Sequence, residues 1–385
     1  MSERIYLDHN ATTPVDPRVL NAMMPYFTEA FGNAASIDHD FGHEAKKAVD
    51  KARVQIAKTM NAFPDEIIFT SGATESNNLA IIGVAERQAE KGNHIITCVT
   101  EHKAVLDCIK YLEQRGFDIT YLPVDSYGSI DLRQLEAAIT PQTILVSIMA
   151  ANNEIGTIAP LTEIGKLTRS KGVFFHTDAT QALGNIPLDV QAMNIDLLSC
   201  SAHKLYGPKG IGALFRRRSN PRVVMNPILH GGGHEKGLRS GTLNVPGIVG
   251  FGEAAAIALN EMNGANRRYQ KWGHYILNSL KIRFEGVQLN GHQTNRLMNN
   301  WNIFIPGIES KALIVQLKDV AIATGSACTS TSVEPSHVIM ALGFGEERAH
   351  SSIRIGLGRF NTEKQIELAI TKIISAIHTI QSIKV

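Results

Sequence analysis

The chain has 385 residues, 44% hydrophobic and 19% charged, the profile of a folded globular protein long enough for two domains with substantial cores. A formal net charge of +2 leaves no electrostatic footprint for direct nucleic-acid or anionic-membrane binding. The N-terminus lacks the apolar core of a signal peptide and no apolar run is long enough to span a bilayer, so a cytoplasmic location is expected. The four cysteines, Cys98, Cys108, Cys200 and Cys328, form no C-x-x-C pair, which argues against a zinc or thioredoxin-like motif and fits a reducing compartment.

Taken in order, Ile5-Tyr6-Leu7 predicts a short strand, followed by a polar loop from Asp8 to Pro14. Pro17 to Tyr26 has helical spacing. Glu44 to Met60 predicts an amphipathic helix with Ala45, Ala48, Val49, Ala52 and Ile56 on one face. A strand at Ile67-Ile68-Phe69 and a helix from Glu75 to Lys91 come next. Strands follow at Ile95 to Val99, Ile119 to Val124, Ile144 to Met149, Val173 to Thr177, Ile195 to Cys200 and Ile211 to Phe215, most separated by helical segments. This is an α/β pattern: a mostly parallel sheet covered by helices on both faces. Arg216-Arg217-Arg218 reads as a solvated strand end.

Gly247 to Phe284 is one long helical region, weakened at Asn263-Gly264, and is expected to bridge two domains. The remainder alternates again through Asn302 to Ile305, Ala312 to Leu317, Ile322 to Thr324 and Ile353 to Leu357. Thr362-Glu-Lys-Gln365 fits a capping box opening the last helix, whose buried stripe is Ile366, Ala369, Ile370, Ile373, Ile377 and Ile380. The expected division is a large domain over 15–262 and a smaller α+β domain made of 1–14 and 263–385.

Ligands of open parallel sheets bind beyond the carboxyl ends of the strands. Three polar stretches fall at such ends. Thr70-Ser-Gly-Ala-Thr-Glu75 opens a helix, whose free N–H groups suit a phosphate, with Ser71 or Thr74 as the expected N-cap. Asp178 follows a buried strand, where it could cap a helix or hold a pyridine nitrogen protonated. Ser201-Ala-His-Lys204 ends another strand. Desolvation there would lower the pKa of Lys204 and free its amine for a Schiff base, with Ser201 and His203 beside it for a phosphate. His102 follows the strand ending at Val99 and suits ring stacking or acid–base work. Together these pieces describe a site for pyridoxal 5'-phosphate.

The chain resembles the class I cysteine desulfurases, the NifS/IscS-like branch of fold-type I pyridoxal phosphate enzymes. The resemblance is carried nearly end to end by Tyr6-Leu-Asp-His-Asn-Ala-Thr-Thr-Pro14, Ser71-Gly-Ala-Thr-Glu-Ser-Asn77, Asn152-Asn-Glu-Ile-Gly156, Ser201-Ala-His-Lys204, Gly237-Leu-Arg-Ser-Gly-Thr242, Gly325-Ser-Ala-Cys-Thr329 and Ser352-Ile-Arg354. It implies that Lys204 binds the cofactor covalently, that His102 stacks on its ring, and that Asp178 and Gln181 reach its nitrogen and phenolic oxygen. Ala73, Thr74, Ser201 and His203 would hold its phosphate, with Thr242 reaching across to the cofactor of a second subunit in a homodimer. Asn153 and Arg354 would take the substrate carboxylate; the planar guanidinium suits that as a bidentate donor.

Cys328 lies among small and hydroxylic residues from Thr324 to Ser332, which give a thiol little steric protection; Cys98, Cys108 and Cys200 fall on elements and read as core. The resemblance therefore implies transfer of sulfur from L-cysteine to Cys328, carried by a mobile loop over 324–334 to a protein acceptor, a scaffold or a sulfurtransferase. The rival readings are a selenocysteine lyase or another fold-type I enzyme, and a non-enzymatic sulfur carrier. His230-Gly-Gly-Gly-His234 has metal-ligand spacing, but its glycines argue against the helix it requires. No resident metal is expected; a cluster shared with a scaffold is the one case in which Cys328 would ligate. The chain ends at Val385 soon after its last helix, without the extension by which housekeeping members contact their scaffold, so that partner is the less expected one.

Overall fold

The structure, a computed structural model, describes residues 4–325 and 334–383. Seven strands form the main sheet in the order Ile67–Thr70, Gly212–Arg216, Leu197–Ser201, Phe174–Asp178, Thr143–Ser147, His94–Cys98 and Asp118–Leu122. Gly212–Arg216 is antiparallel to both neighbours; every other pairing is parallel. Both faces are covered, as the apolar runs require. Ile95, Leu145, Leu197 and Leu214 face one core with Leu79 and Val84 of the helix Ala73–Gln88. The next residues along, Ile96, Val146, Leu198 and Phe215, face another core with Ala45, Val49 and Ile56 of the helix Asp40–Lys58. The alternation is the period of two that a strand imposes.

A separate core gathers Ile5 and Leu7 with apolar residues between Tyr269 and Ile380. Its sheet is antiparallel, in the order Ser352–Gly356, Asn300–Phe304 and Gln288–Leu289. The strand Ile5–Tyr6 pairs in parallel with Val320–Ala321, so the first residues join the C-terminal part of the chain. The 39-residue helix Val245–Arg283 packs Ile248, Phe251 and Ala255 into the first assembly and Trp272, Ile276 and Leu280 into the second. The capping box at Thr362 and Gln365 forms, and the predicted stripe of the last helix is buried. Among the described residues no helix is long and apolar enough to cross a membrane.

Several local expectations are corrected. The helix at 40–58 begins four residues before Glu44, because His39 Nδ1 accepts from Gly42 N–H and serves as its cap. The long helix runs unbroken through Asn263-Gly264. A glycine there costs about 1 kcal/mol, and packing at both ends of the helix outweighs it. The strand expected at Ile322 to Thr324 is replaced by Val320–Ala321 and a single bridge from Ala323 to Arg354. Within Arg216-Arg217-Arg218, Arg217 is buried rather than solvated: its guanidinium donates to the carbonyls of Val190 and Ile195 and lies 3.2 Å from Asp196.

Gly273 lies where the long helix meets Trp301, and a β-carbon at that position would overlap the indole. Gly273→Ala should therefore destabilise the protein by about 1–3 kcal/mol, despite the better helix propensity of alanine. Denaturant unfolding of the two proteins measures the difference; a neutral or stabilising result would show that the contact relaxes.

Candidate active site

A cavity of about 340 Å³ opens at the carboxyl ends of the parallel strands. Its lining includes Ala73, Thr74, His102, Asn153, Asp178, Gln181, Ser201, His203, Lys204 and Arg354. Residues read from separate stretches of sequence thus share one space. Thr242 does not line it and is exposed. Cys328, with the rest of 326–333, lies outside the described residues.

The two central strands place the key pair. Phe174–Asp178 and Leu197–Ser201 run side by side, with Asp178 opposite Ser199. Asp178 is buried and does not cap a helix. Its Oδ2 accepts from Asn77 Nδ2 at 2.7 Å and its Oδ1 from Thr180 N–H at 2.9 Å. Beyond Ser201 the chain makes one short turn, Ala202–Lys204, and then Tyr206 adopts φ +66°. The turn directs Lys204 Nζ to the carbonyls of Asn10 and Ala11, both at 2.6 Å. Gln181 exchanges two bonds with Asn10: its Nε2 donates to the Asn10 carbonyl at 2.9 Å, and its Oε1 accepts from Asn10 Nδ2 at 3.3 Å.

The helix at 73–88 starts two residues earlier than expected. Its N-cap is Gly72 at φ +155°, not Ser71 or Thr74, and no side chain caps it. Glycine reaches that backbone conformation readily and other residues do not. Ser71 instead donates its N–H to Glu75 Oε2 at 2.7 Å. The uncapped N–H groups at Ala73 and Thr74, the Ser201 hydroxyl and His203 form a donor set suited to a phosphate. An acid, an amide and a lysine in the same cavity suit a pyridoxal ring, so the residues present fit the cofactor.

His102 accepts from Ala104 N–H at Nδ1, 3.1 Å away, so its neutral ring carries the proton on Nε2. Burial holds its pKa down, assisted by the Lys204 cation and opposed by Asp178. His203 is lowered to about 4 by burial and by the Lys204 and Lys209 cations. Glu101 is fully buried with Oε1 on Met149 N–H at 2.6 Å, and burial raises its carboxyl well above the usual range. Burial likewise raises the thiols of Cys98, Cys108 and Cys200 to about 11, 12 and 12. Arg354 is 1% exposed; it donates to Asp8 Oδ1 at 2.8 Å and to the Asn153 carbonyl at 3.0 Å, and its Nε has no partner among the described residues. Sequence reasoning assigned no role to Asn10, Asp8 or Asn77. Asn10 and Asp8 belong to the N-terminal motif, whose polarity was the one available signal.

This fold and cavity define a fold-type I pyridoxal 5'-phosphate enzyme. The aminotransferase class-V family model matches residues 5–368. Cysteine desulfurase IscS of Rickettsia rickettsii (strain Iowa) is 53% identical over 379 residues, covering 98% of this chain and 92% of the relative. A NifS-like protein of solved structure superposes with a TM-score of 0.91 at 38% identity, covering 98% of this chain and all (100%) of that one. SspA in complex with cysteine gives a TM-score of 0.82 at 39% identity, covering 93% and 100%. The chain therefore belongs to the cysteine desulfurases of the aminotransferase class-V family.

Below Asp178 on the same strand, His176 is fully buried, with Nδ1 on Ser147 Oγ at 2.8 Å and Nε2 on Ser199 Oγ at 3.0 Å. Burial lowers its pKa from 6.5 to about 4. The unfolded chain therefore binds a proton here that the folded chain refuses, and this contribution to stability is lost as pH falls from about 6.5 to about 4. His176→Gln can still bond both serines and does not titrate. On acidification through that window the parent should lose more unfolding free energy than the variant. Parallel slopes in denaturant titrations at several pH values would refute this.

Proposed function

We propose that the chain converts L-cysteine to L-alanine and takes the sulfur onto Cys328 as a persulfide. The observation that carries this is the convergence of Lys204, Asp178, His102, Asn153 and Arg354 on one cavity in a member of this family. When bound, pyridoxal phosphate supplies a carbonyl for the amino acid and an electron sink for its α-carbon. Lys204 anchors the cofactor and moves the α-proton. Asp178, held by Asn77 and Thr180, keeps a fixed acceptor at the ring nitrogen, Gln181 serves the phenolic oxygen, and His102 stacks on the ring. Ala73, Thr74, Ser201 and His203 take the phosphate. Asn153 and Arg354 hold the substrate carboxylate.

Sulfur transfer is a displacement at the substrate's sulfur. The Cys328 thiolate forms the new S–S bond, the carbon–sulfur bond breaks, and reprotonation at carbon gives alanine. The persulfide passes to a protein acceptor, a scaffold or a sulfurtransferase, in the cytoplasm. The site is shared within a homodimer. Thr242 is exposed and does not line its own cavity, which leaves it available to a partner's phosphate site, and Leu20, Met24, Phe27 and Phe31 leave apolar surface for a second copy to cover. We divide the chain into 15–262 against 1–14 with 263–385, a reading supported by the separate core that includes Ile5 and Leu7.

Two variants test the assignment. Lys204→Ala should abolish turnover and leave no cofactor attached after borohydride; a phosphopyridoxyl adduct on another lysine of the parent would overturn it. Cys328→Ser should retain the cofactor yet make no alanine from cysteine, and sulfur label should sit on the peptide containing Cys328. Label on Cys98, Cys108 or Cys200, or undiminished sulfur release by the variant, would remove Cys328 from the reaction.

A further inference from the structure

Residues 153–156 form the stretch that carries Asn153, and each of their carbonyls is received from the C-terminal part of the chain. The Asn153 carbonyl accepts from Asn300 Nδ2 and from Arg354, both at 3.0 Å. The Glu154 carbonyl accepts from Asn302 Nδ2 at 3.0 Å, that of Ile155 from Arg296 at 3.2 Å, and that of Gly156 from Leu297 N–H at 2.9 Å. Asn302 and Arg354 are direct partners across the two strands Asn300–Phe304 and Ser352–Gly356. The peptide bearing Asn153 is thus fixed to the sheet that bears Arg354.

An amide can point either way, and a chain of amides needs something to set its direction. Here Arg348 does so. Its Nε donates to Asn290 Oδ1 at 2.6 Å, and a guanidinium has no acceptor to offer. The Asn290 amide nitrogen must then face the other way, and it donates to Asn302 Oδ1 at 2.7 Å. Asn302 is left with its donor end toward the Glu154 carbonyl. All three side chains are buried, where a reversed amide would set lone pair against lone pair. Among the described residues Arg348 bonds no carboxylate. It also donates to Gln288 Oε1 at 3.0 Å and lies over the rings of Phe304 and Phe344. The Glu154 carboxylate adds a second fixture, accepting from Ser336 Oγ at 2.5 Å.

We propose that Arg348, Asn290 and Asn302 are a positioning relay that holds Asn153 and Arg354 at one spacing for the carboxylate of the substrate. The proposal rests on the reading that Asn153 and Arg354 bind that carboxylate. None of the three relay residues lines the cavity, so their effect is on binding geometry rather than on the reacting atoms.

The test uses the holoenzyme and three variants. Asn302→Asp replaces the donor with an oxygen facing the Glu154 carbonyl. Arg348→Met removes the group that sets the direction, and Arg348→Lys retains a donor. Each is measured for KM and kcat with L-cysteine, for equilibrium affinity for L-alanine read from the cofactor's absorbance, and for thermal stability. Asn302→Asp and Arg348→Met should raise KM and weaken L-alanine binding by about tenfold, or about 1.4 kcal/mol, with kcat within about twofold of the parent. Arg348→Lys should recover most of the affinity. A purely structural role predicts a lower melting temperature with KM and L-alanine affinity unchanged, and that result would overturn the relay. If Asn302→Asp yields no folded holoenzyme, the Arg348 pair decides by the same criterion. Asn153→Ala and Arg354→Lys serve as controls. If they leave L-alanine affinity intact, the carboxylate reading itself has failed; if they weaken it while the relay variants do not, only the relay has.

Discussion

The site depends first on the parallel register of Phe174–Asp178 against Leu197–Ser201. With Asp178 opposite Ser199, the carboxylate and the turn bearing Lys204 emerge at the same sheet edge. Successive strand residues alternate faces, so a slip of one residue would turn Asp178 away from Asn77. That slip would also turn Phe175 out of its core. Packing on both faces therefore defends the placement of the acid at the site. The apolar residues around it are what hold it against a slip of one residue.

A second constraint is the peptide from Asp8 to Thr13, which touches four of the cavity's side chains, those of Lys204, Gln181, His203 and Arg354. The Asn10 and Ala11 carbonyls receive Lys204, the Asn10 amide and carbonyl hold Gln181, and Thr12 bonds His203. Thr13 bonds the His203 carbonyl and Tyr206 N–H, fixing the turn on which Lys204 is carried. Asp8 pairs with Arg354. Just before it, Ile5–Tyr6 is bound into the C-terminal strands. Six residues thus tie the lysine end of the cavity to its arginine end. A pocket built from two separately packed cores needs such a connection if its two ends are to keep one spacing.

The fold was largely legible because buried parallel strands leave continuous apolar runs, and each predicted strand of the main sheet falls within a residue or two of its place. Gln181, Asn153 and Arg354 rested on the family resemblance alone, whereas Thr74, His102, Asp178, Ser201, His203 and Lys204 were legible too, as polar residues at the ends of those runs. Asn10 and Asp8 were not, because their partners lie more than a hundred residues away and local pattern carries no distance information. The buried Arg217 escaped for a related reason: a run of three arginines has the composition of a solvated end, and only the carbonyls of Val190 and Ile195 reveal the middle one's use. Gly72 as a cap was hidden because glycine competes with two better-known capping types beside it.

Burial also bears on which cysteine acts. A sulfur nucleophile must be a thiolate, and desolvation penalises that form. Cys98, Cys108 and Cys200 are buried, and their thiols are raised to about 11, 12 and 12. At neutral pH all three are therefore held as thiols, the form that does not attack sulfur. Cys98 is further disfavoured by the Glu101 carboxyl, and Cys200 by Asp178. None of the three lines the cavity. The same cores that fix Asp178 and the Lys204 turn thus disarm the cysteines they contain. Cys328, the acceptor proposed above, stands in sequence among small and hydroxylic residues rather than in one of these apolar runs.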